Sequence, residues 1–143
     1  MRARSSARSR AQALVEFAIV APIFFLLLFA IIDFGRYVYY VQIINNAARE
    51  GARYAIVHGD IGIPSTGPPD DATGSEVKKT VRNYLIGVVD AGALTITPTW
   101  PQGNNLRGSL VTVQIDYQFR SVIPLVPLPA ITVRGESTLV INS

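Results

Sequence analysis

The sequence of 143 residues contains no cysteine and one histidine. Without cysteine the protein has no disulfide, no thiol nucleophile and no thiolate ligand, so its stability must come from packing and strand pairing. The histidine, His58, and the nearby acidic residues Asp60, Asp70 and Asp71 lack the spacing on a regular element that metal ligands require. We therefore expect no metal site.

Sequence motifs of catalysis and of cofactor binding are also absent. We find no nucleophile elbow, no glycine-rich loop that would cradle a phosphate, and no acid–base pair. His58 lies beside Gly59 at the end of a predicted helix, where a histidine commonly has a structural role. The sequence therefore predicts that the protein is not an enzyme and binds no cofactor.

Charged residues are few, and their distribution argues against binding to nucleic acid. The whole formal net charge of +3 comes from Glu16 and the four arginines that precede it, Arg2, Arg4, Arg8 and Arg10. Residues 17–143 carry nine basic and nine acidic side chains. Because residues 17–143 have no net charge, no nucleic-acid partner is expected. The length allows one small domain plus an anchor.

One long apolar run, residues 13–32, contains Glu16 as its only charged residue. A helix of twenty residues covers about 30 Å, which is the thickness of the hydrocarbon core of a bilayer. The run therefore predicts a single membrane-spanning helix, with the lipid bilayer as a partner. The arginines in front of it indicate that the N-terminus stays in the cytoplasm and that the rest of the chain lies outside.

A secretory signal peptide has a similar basic and apolar start, but the end of this run differs. The run is followed by Asp33, Phe34, Gly35 and Arg36, without a small-x-small cleavage pattern. It is also longer than the roughly 7 to 15 apolar residues of a signal peptide. We therefore predict that the chain is not cut after the span.

Two stretches resemble a known family. Residues 11–22, AQALVEFAIVAP, resemble the N-terminal segment of type IV pilin-like proteins, above all that of the TadE-like family of the tight-adherence (Tad) pilus system. Residues 47–55, AAREGARYA, resemble an alanine-rich stretch that the same family carries beyond its anchor. Asp33 with Gly35 and Arg36 is similar to the family's usual exit from the membrane. Together the matches cover about residues 11–57.

The resemblance implies processing by a prepilin peptidase between Ala11 and Gln12. The family usually has glycine before the cut, where this chain has Ala11. Glu16 then falls at the fifth position of the mature chain and Phe17 at the aromatic sixth. By the same resemblance, Glu16 would neutralise the terminal amine of a neighbouring subunit.

The function implied is that of a minor pilin, or pseudopilin, that helps to prime or cap a Tad pilus. The implied partners are the prepilin peptidase, other major and minor pilins, and the pilus assembly platform of the inner membrane. The implied location is the cytoplasmic (inner) membrane, as a single-pass protein, or the extracellular pilus itself. Glu16 would contact other subunits. Arg49, Glu50 and Arg53 most simply form a solvated helical face, and a contact patch for other subunits is the alternative.

Periodicity predicts an α+β fold, and the resemblance implies that this fold is type IV pilin-like. We expect a disordered basic leader over residues 1–12, of which 1–11 would be removed, and a helical spine over 12–57 in which Pro22 is tolerated. The spine has an apolar stripe on one side beyond the membrane. The head, residues 58–143, begins with a loop over 58–74, and Ser75 is expected to cap a second helix that ends between positions 87 and 92.

The last third predicts three antiparallel strands, at about residues 94–99, 109–120 and 131–141. The second alternates almost perfectly between apolar and polar side chains, and residues 102–108 have the composition of a hairpin turn. Residues 122–129 contain three prolines, which exclude a central strand. This apolar connector would contact a partner or the membrane surface, or simply cross over its own sheet.

A different class of function is also compatible with the span. The chain would then be an uncleaved single-span membrane protein whose extracytoplasmic α+β module binds a ligand or a partner. That alternative explains the topology equally well, but it does not explain Glu16 and Phe17 at the start of the helix together with the second family-like stretch.

Overall fold

A computed structural model of the chain describes residues 3–122 and 129–142. Its elements are two helices, one short 3-10 helix and three strands: α1 (Ala3–Val57), α2 (Ser75–Tyr84), the 3-10 turn (Ala91–Ala93), β1 (Leu94–Thr99), β2 (Leu110–Phe119) and β3 (Ile131–Val140). The strands form one antiparallel sheet in the order β1-β2-β3. The predicted α+β fold is confirmed.

The chain divides into two compact units. Among the described residues, the first unit contains 3–36 and 121–122, and the second contains 37–120 and 129–142. Helix α1 contributes residues to both. Most of the proline-rich connector, residues 123–128, lies outside the described residues, so its predicted contact with a partner or a membrane stays a prediction.

In the first unit, α1 exposes an apolar surface over the whole predicted span. Every residue from 13 to 32 is exposed except Ala21 and Ala30, which are half-buried. The helix is long and apolar enough to cross a membrane. Pro22 lies inside α1 and does not end it, as expected. Among the described residues, α1 is therefore the one helix that could cross a bilayer, and no protein surface covers its most apolar window.

The expectation of a disordered leader is wrong for residues 3–12. Helix α1 begins at Ala3 and runs without a break into the apolar run. Alanine, arginine and glutamine are good helix formers, and extending an existing helix by one residue is far easier than nucleating a new one. The long apolar helix therefore supplies the nucleus from which this polar segment propagates.

In the second unit, α1 and α2 cover one face of the sheet. Side chains along β2 alternate between buried and more exposed positions, as the sequence predicts. The buried face of the sheet meets an apolar stripe of small residues on α1, which becomes fully buried at Ala47, Ala48, Ala52 and Ala55. Val77 and Val81 of α2 complete this core. Ile131, the first residue of β3, lies outside this core and is exposed.

Two glycines mark places where α1 packs closely against its neighbours. A Cβ atom at Gly135 of β3 would lie 2.8 Å from the backbone carbon and oxygen of Ile44. A Cβ atom at Gly51 of α1 would lie 2.6 Å from a methyl group of Val81. Neither position has room for a side chain, so the helix packs directly against the sheet and α2.

The start of α2 differs from the prediction. Gly74, in the left-handed conformation with φ 63°, precedes the helix, and no side chain at that position caps it. Instead, Asp71 accepts hydrogen bonds from the backbone N–H groups of Ser75 at 2.9 Å and Glu76 at 3.3 Å. Ser75 is therefore the first helical residue, and the cap comes from an acidic residue in the preceding loop, where it also favours the helix dipole.

The end of α2 also differs from the prediction. The helix stops at Tyr84, before the expected range that begins at Gly87. The backbone then continues in turns whose hydrogen bonds join residues three apart, from Ile86 N–H to the Asn83 carbonyl and from Val88 N–H to the Leu85 carbonyl. Since tight turns of this kind use i to i+3 bonds, apolar spacing alone cannot locate the last α-helical residue.

A buried polar pair fixes the loop that follows α1. Thr66 is fully buried, and its hydroxyl donates a hydrogen bond of 2.7 Å to the carbonyl of His58, just past the helix end. The side-chain amide of Asn105, in the β1–β2 connection, donates to the carbonyl of Thr66 at 3.0 Å. The Asn105 amide pairs the Thr66 carbonyl, and the Thr66 hydroxyl gives the His58 carbonyl a second donor beside the backbone N–H of Thr66.

We predict that Gly135→Ala destabilises the head by about 1–3 kcal/mol, because the added methyl group must push apart two backbones rather than a flexible side chain. Thermal and urea unfolding of the full chain in detergent, followed by near-ultraviolet circular dichroism, measures the change. Gly35→Ala is the matched control, since apart from its chain neighbours and its own helix backbone no atom lies within 4 Å of a Cβ atom placed there. Equal stability of the two variants would contradict the close packing at Gly135.

We also predict that acid destabilises the head. On the exposed face of the sheet, hydrogen bonds from Arg134 and Gln114 lower the pKa of Asp116 below its ordinary 3.8. Burial alone would raise the pKa of Asp71, but its hydrogen bonds with Ser75, Glu76 and Thr73 outweigh burial and lower it.

Because both folded-state pKa values lie below 3.8, this stabilisation is complete above that pH and is lost as the pH falls through the folded values. Unfolding of the full chain between about pH 6 and about pH 2 measures the effect. The double variant Asp71→Asn with Asp116→Asn should show a shallower dependence on pH in the acid range. An unchanged slope would show that these two carboxylates do not contribute.

Candidate functional site

The four residues predicted for processing lie on one continuous stretch of α1. Ala11, Gln12, Glu16 and Phe17 are all exposed, and Phe17 is 68% accessible. The Gln12 side-chain amide donates a hydrogen bond of 3.1 Å to the Glu16 carboxylate, one helical turn away. The residue that would become the mature N-terminus therefore lies on the same side of the helix as Glu16.

Glu16 is an isolated charge on an apolar surface. Leu14, Val15 and Phe17 beside it all expose more than half of their side chains. In water this arrangement costs the carboxylate nothing, but in the apolar core of a bilayer an ionised carboxylate requires a partner of opposite charge or strong hydrogen-bond donors. A positive group supplied by another chain would meet this requirement.

The other predicted contact residues belong to the second unit, on the side of α1 away from the sheet. Arg53 binds Glu50 through two hydrogen bonds, of 2.7 Å and 2.9 Å, which join both carboxylate oxygens to the guanidinium group. Arg49 is exposed and borders a shallow surface depression of about 290 Å³. The depression is otherwise lined by Val41, Gln42, Asn45 and Asn46. Glu50 and Arg53 thus already satisfy each other, which leaves Arg49 as the more available cation for a partner.

The structure reveals a further polar centre at Asp33, which sequence reasoning did not single out as a site. Asp33 is buried, with 7% of its surface accessible. One carboxylate oxygen accepts hydrogen bonds from the Ser121 hydroxyl and, at 2.8 Å, from the backbone N–H of Val122. The other accepts a hydrogen bond of 2.8 Å from Arg36, with which it forms an ion pair. We call these four residues the Asp33 cluster.

The Asp33 cluster joins the end of the apolar run to a segment far along the chain. Asp33 directly follows the run, whereas Ser121 and Val122 follow strand β2. Three donors satisfy a carboxylate that would otherwise be costly to bury. The acidic break after the apolar run was visible in the sequence, but nothing local indicates a partner that lies 88 residues away.

None of these groups forms a metal centre. Within residues 3–122 and 129–142, no three or more histidine or acidic side chains lie close enough to hold a metal ion. His58 stacks on Tyr54 with ring centroids 4.1 Å apart, and its Nδ1 lies 3.0 Å from the Tyr54 carbonyl. His58 thus has a structural environment near the end of α1.

We predict that Asp33→Ala releases the segment at Ser121 and Val122. The variant removes the acceptor of the Val122 N–H, so amide hydrogen exchange in a peptide covering these residues should accelerate at least fivefold, the factor produced by the loss of ~1 kcal/mol. Mass spectrometry of the full chain in detergent measures the exchange. Asp60→Ala, at an exposed position outside the cluster, should leave it unchanged. Equal exchange in both variants would contradict the structural role of Asp33.

Comparison with known proteins identifies the N-terminal part of the chain. Residues 11–53 match the family model described as TadE-like protein, and this segment contains Glu16, the whole apolar run, Asp33 and the pair of Glu50 and Arg53. No curated protein and no solved structure is significantly similar to the chain. The resemblance that the sequence predicts is therefore confirmed: residues 11–53 form a TadE-like segment.

Proposed function

We propose that the protein is a minor pilin, or pseudopilin, that takes part in the assembly of a tight-adherence pilus by priming or capping it. The observation that carries this proposal is the combination of a TadE-like segment with an exposed apolar run on α1 in which Glu16 is the one carboxylate. The TadE-like match associates the protein with a Tad pilus, and the finer role in assembly is our proposal.

The apolar surface of α1 provides the driving force. Over residues 13–32 this surface consists mainly of large, exposed apolar side chains, whose contact with water is unfavourable. It therefore requires a cover of lipid or of other helices. We propose that α1 crosses the cytoplasmic membrane, with the leader inside and the head outside. During assembly its lipid contacts would be replaced by contacts with the helices of neighbouring pilins.

Glu16 would set the axial position of the subunit. After a cut between Ala11 and Gln12, a neighbouring mature chain would carry a positive terminal amine that can pair with this carboxylate. The attraction between two such charges is several times greater in an apolar medium than in water, so a misaligned subunit would leave a costly unpaired charge. The pair would therefore favour one register between adjacent helices.

The remaining contacts would be made beyond the apolar run. Arg49, with the adjacent Glu50 and Arg53, is on an exposed helical face suited to a neighbouring pilin. The proposed partners are other major and minor pilins, the prepilin peptidase and the assembly platform of the inner membrane. The proposed role is structural rather than enzymatic and requires no cofactor.

The decisive experiment is the intact mass and N-terminal sequence of the protein purified from membranes that contain a prepilin peptidase. We expect a mature chain that begins at Gln12. A known pilin in the same strain controls for peptidase activity, and a strain without the peptidase should yield the uncut chain. A chain that still begins at Met1 while the known pilin is processed would contradict the proposal and favour the anchored binding module.

Variants at position 16 test the assembly step separately. Glu16→Ala and Glu16→Gln should insert into the membrane, yet reduce the number of pili to that of a strain lacking the protein, because neither can pair with an amine. Glu16→Asp retains the charge and should preserve part of the assembly. Pili are counted by electron microscopy, with membrane levels of each variant measured alongside. Normal piliation with Glu16→Gln would exclude the proposed ion pair.

A further inference from the structure

The geometry points to a second contact with the membrane: we propose that Val122, held on Asp33, lies with Phe34 in the interfacial layer of the bilayer on the side where the head lies. The proposed partner is lipid, at the boundary between acyl chains and headgroups. This inference rests on the membrane span of the proposed function, but not on processing or pilus assembly. It gives the Asp33 cluster the task of placing a distant segment of chain at the membrane surface.

The first step of the argument is position. Asp33 is the residue directly after the apolar run, and the Val122 N–H donates to its carboxylate at 2.8 Å. The backbone of Val122 is therefore one aspartate side chain away from the point where α1 leaves the apolar run. All the residues concerned belong to the first unit.

The second step is exposure. Phe34 is 69% and Val122 is 61% accessible, and both adjoin a helix whose apolar side chains are exposed up to Ile32. Phe34 and Val122 thus extend the apolar surface that the bilayer would cover. Because apolar side chains leave water favourably wherever an adjacent apolar phase is available, continuity with the span selects lipid as the occupant.

The third step is charge. A carboxylate at this depth would oppose membrane contact if it were bare. In the Asp33 cluster, the Ser121 hydroxyl, the Val122 N–H and the Arg36 guanidinium all donate to it. Arg36 retains an exposed fraction of about one third, so its guanidinium can also reach headgroup phosphates while its stem lies along the apolar surface. The cluster is therefore compatible with the interfacial layer.

The absence of cysteine makes a direct test possible, since a single introduced cysteine can carry a nitroxide label in the otherwise unchanged chain. The variants are Val122→Cys, Leu27→Cys within the span, and Thr97→Cys on the exposed polar face of the sheet. Each labelled full chain is reconstituted into vesicles of phosphatidylcholine and phosphatidylglycerol. Electron paramagnetic resonance then measures collision of the label with oxygen, which concentrates in lipid, and with a water-soluble nickel complex.

The quantity compared is the ratio of collisions with oxygen to collisions with the nickel complex. We expect this ratio at position 122 to be several-fold higher than at position 97 and lower than at position 27. If the ratio at position 122 equals that at position 97 while the nickel complex does not reach position 27, the inference is overturned but the membrane span is not. Low collision with both reagents at position 122 would indicate a protein partner and would also overturn it. Access of nickel to position 27 would overturn the span itself, and with it the proposed function.

A second arm tests the part played by Asp33. In the Val122→Cys background, Asp33→Ala should raise collision with the nickel complex several-fold, whereas Asp60→Ala should not change it. Unchanged collision in the Asp33 variant would show that the cluster does not place Val122, and would overturn that part of the inference. Labels at position 27 in the same variants report whether the helix remains inserted.

Discussion

Direct contact between the backbone of α1 and the sheet is the constraint on which the head depends. Because Gly135 and Gly51 leave no space for a Cβ atom, the helix comes close enough for its small residues to be buried completely. Ile44 and Val113 are fully buried in the core between the two layers. The same helix must therefore carry two different surfaces: large exposed apolar side chains where lipid is the proposed cover, and small buried ones where the sheet covers it.

The sequence predictions are accurate where an element is determined by residues close together in the sequence, and inaccurate where it depends on residues outside the element. The three strands were predicted to within one residue, because alternation of side chains is a local pattern that records which face is buried. The ends of α2 were not, because its cap is Asp71, four residues before the helix, and because the backbone after Tyr84 tightens into turns with i to i+3 hydrogen bonds. The leader was misjudged because its composition was considered without the helix that extends it.

The candidate site shows the same division. Ala11, Gln12, Glu16 and Phe17 could be named because the family-like pattern is contiguous, and the family match over residues 11–53 confirms that resemblance. Their predicted roles are not thereby tested. The Asp33 cluster could not be assembled from the sequence, since Ser121 and Val122 reach Asp33 only through the fold. The family match lies entirely within α1. In the proposed role, the unmatched residues 54–143 would determine which partners this protein binds.

The long sequence separation within the Asp33 cluster has a consequence for the order of folding. Closing a loop of 88 residues from a disordered chain costs about 4 kcal/mol in entropy, which one hydrogen-bonded cluster cannot easily offset. In the second unit, however, the rings of Tyr37 and Phe119 lie 5.8 Å apart, so the folded head already brings both ends of this loop together. Only three residues then separate Tyr37 from Asp33, and one residue separates Phe119 from Ser121. The cluster is therefore a late event, which closes at little cost after the head has formed.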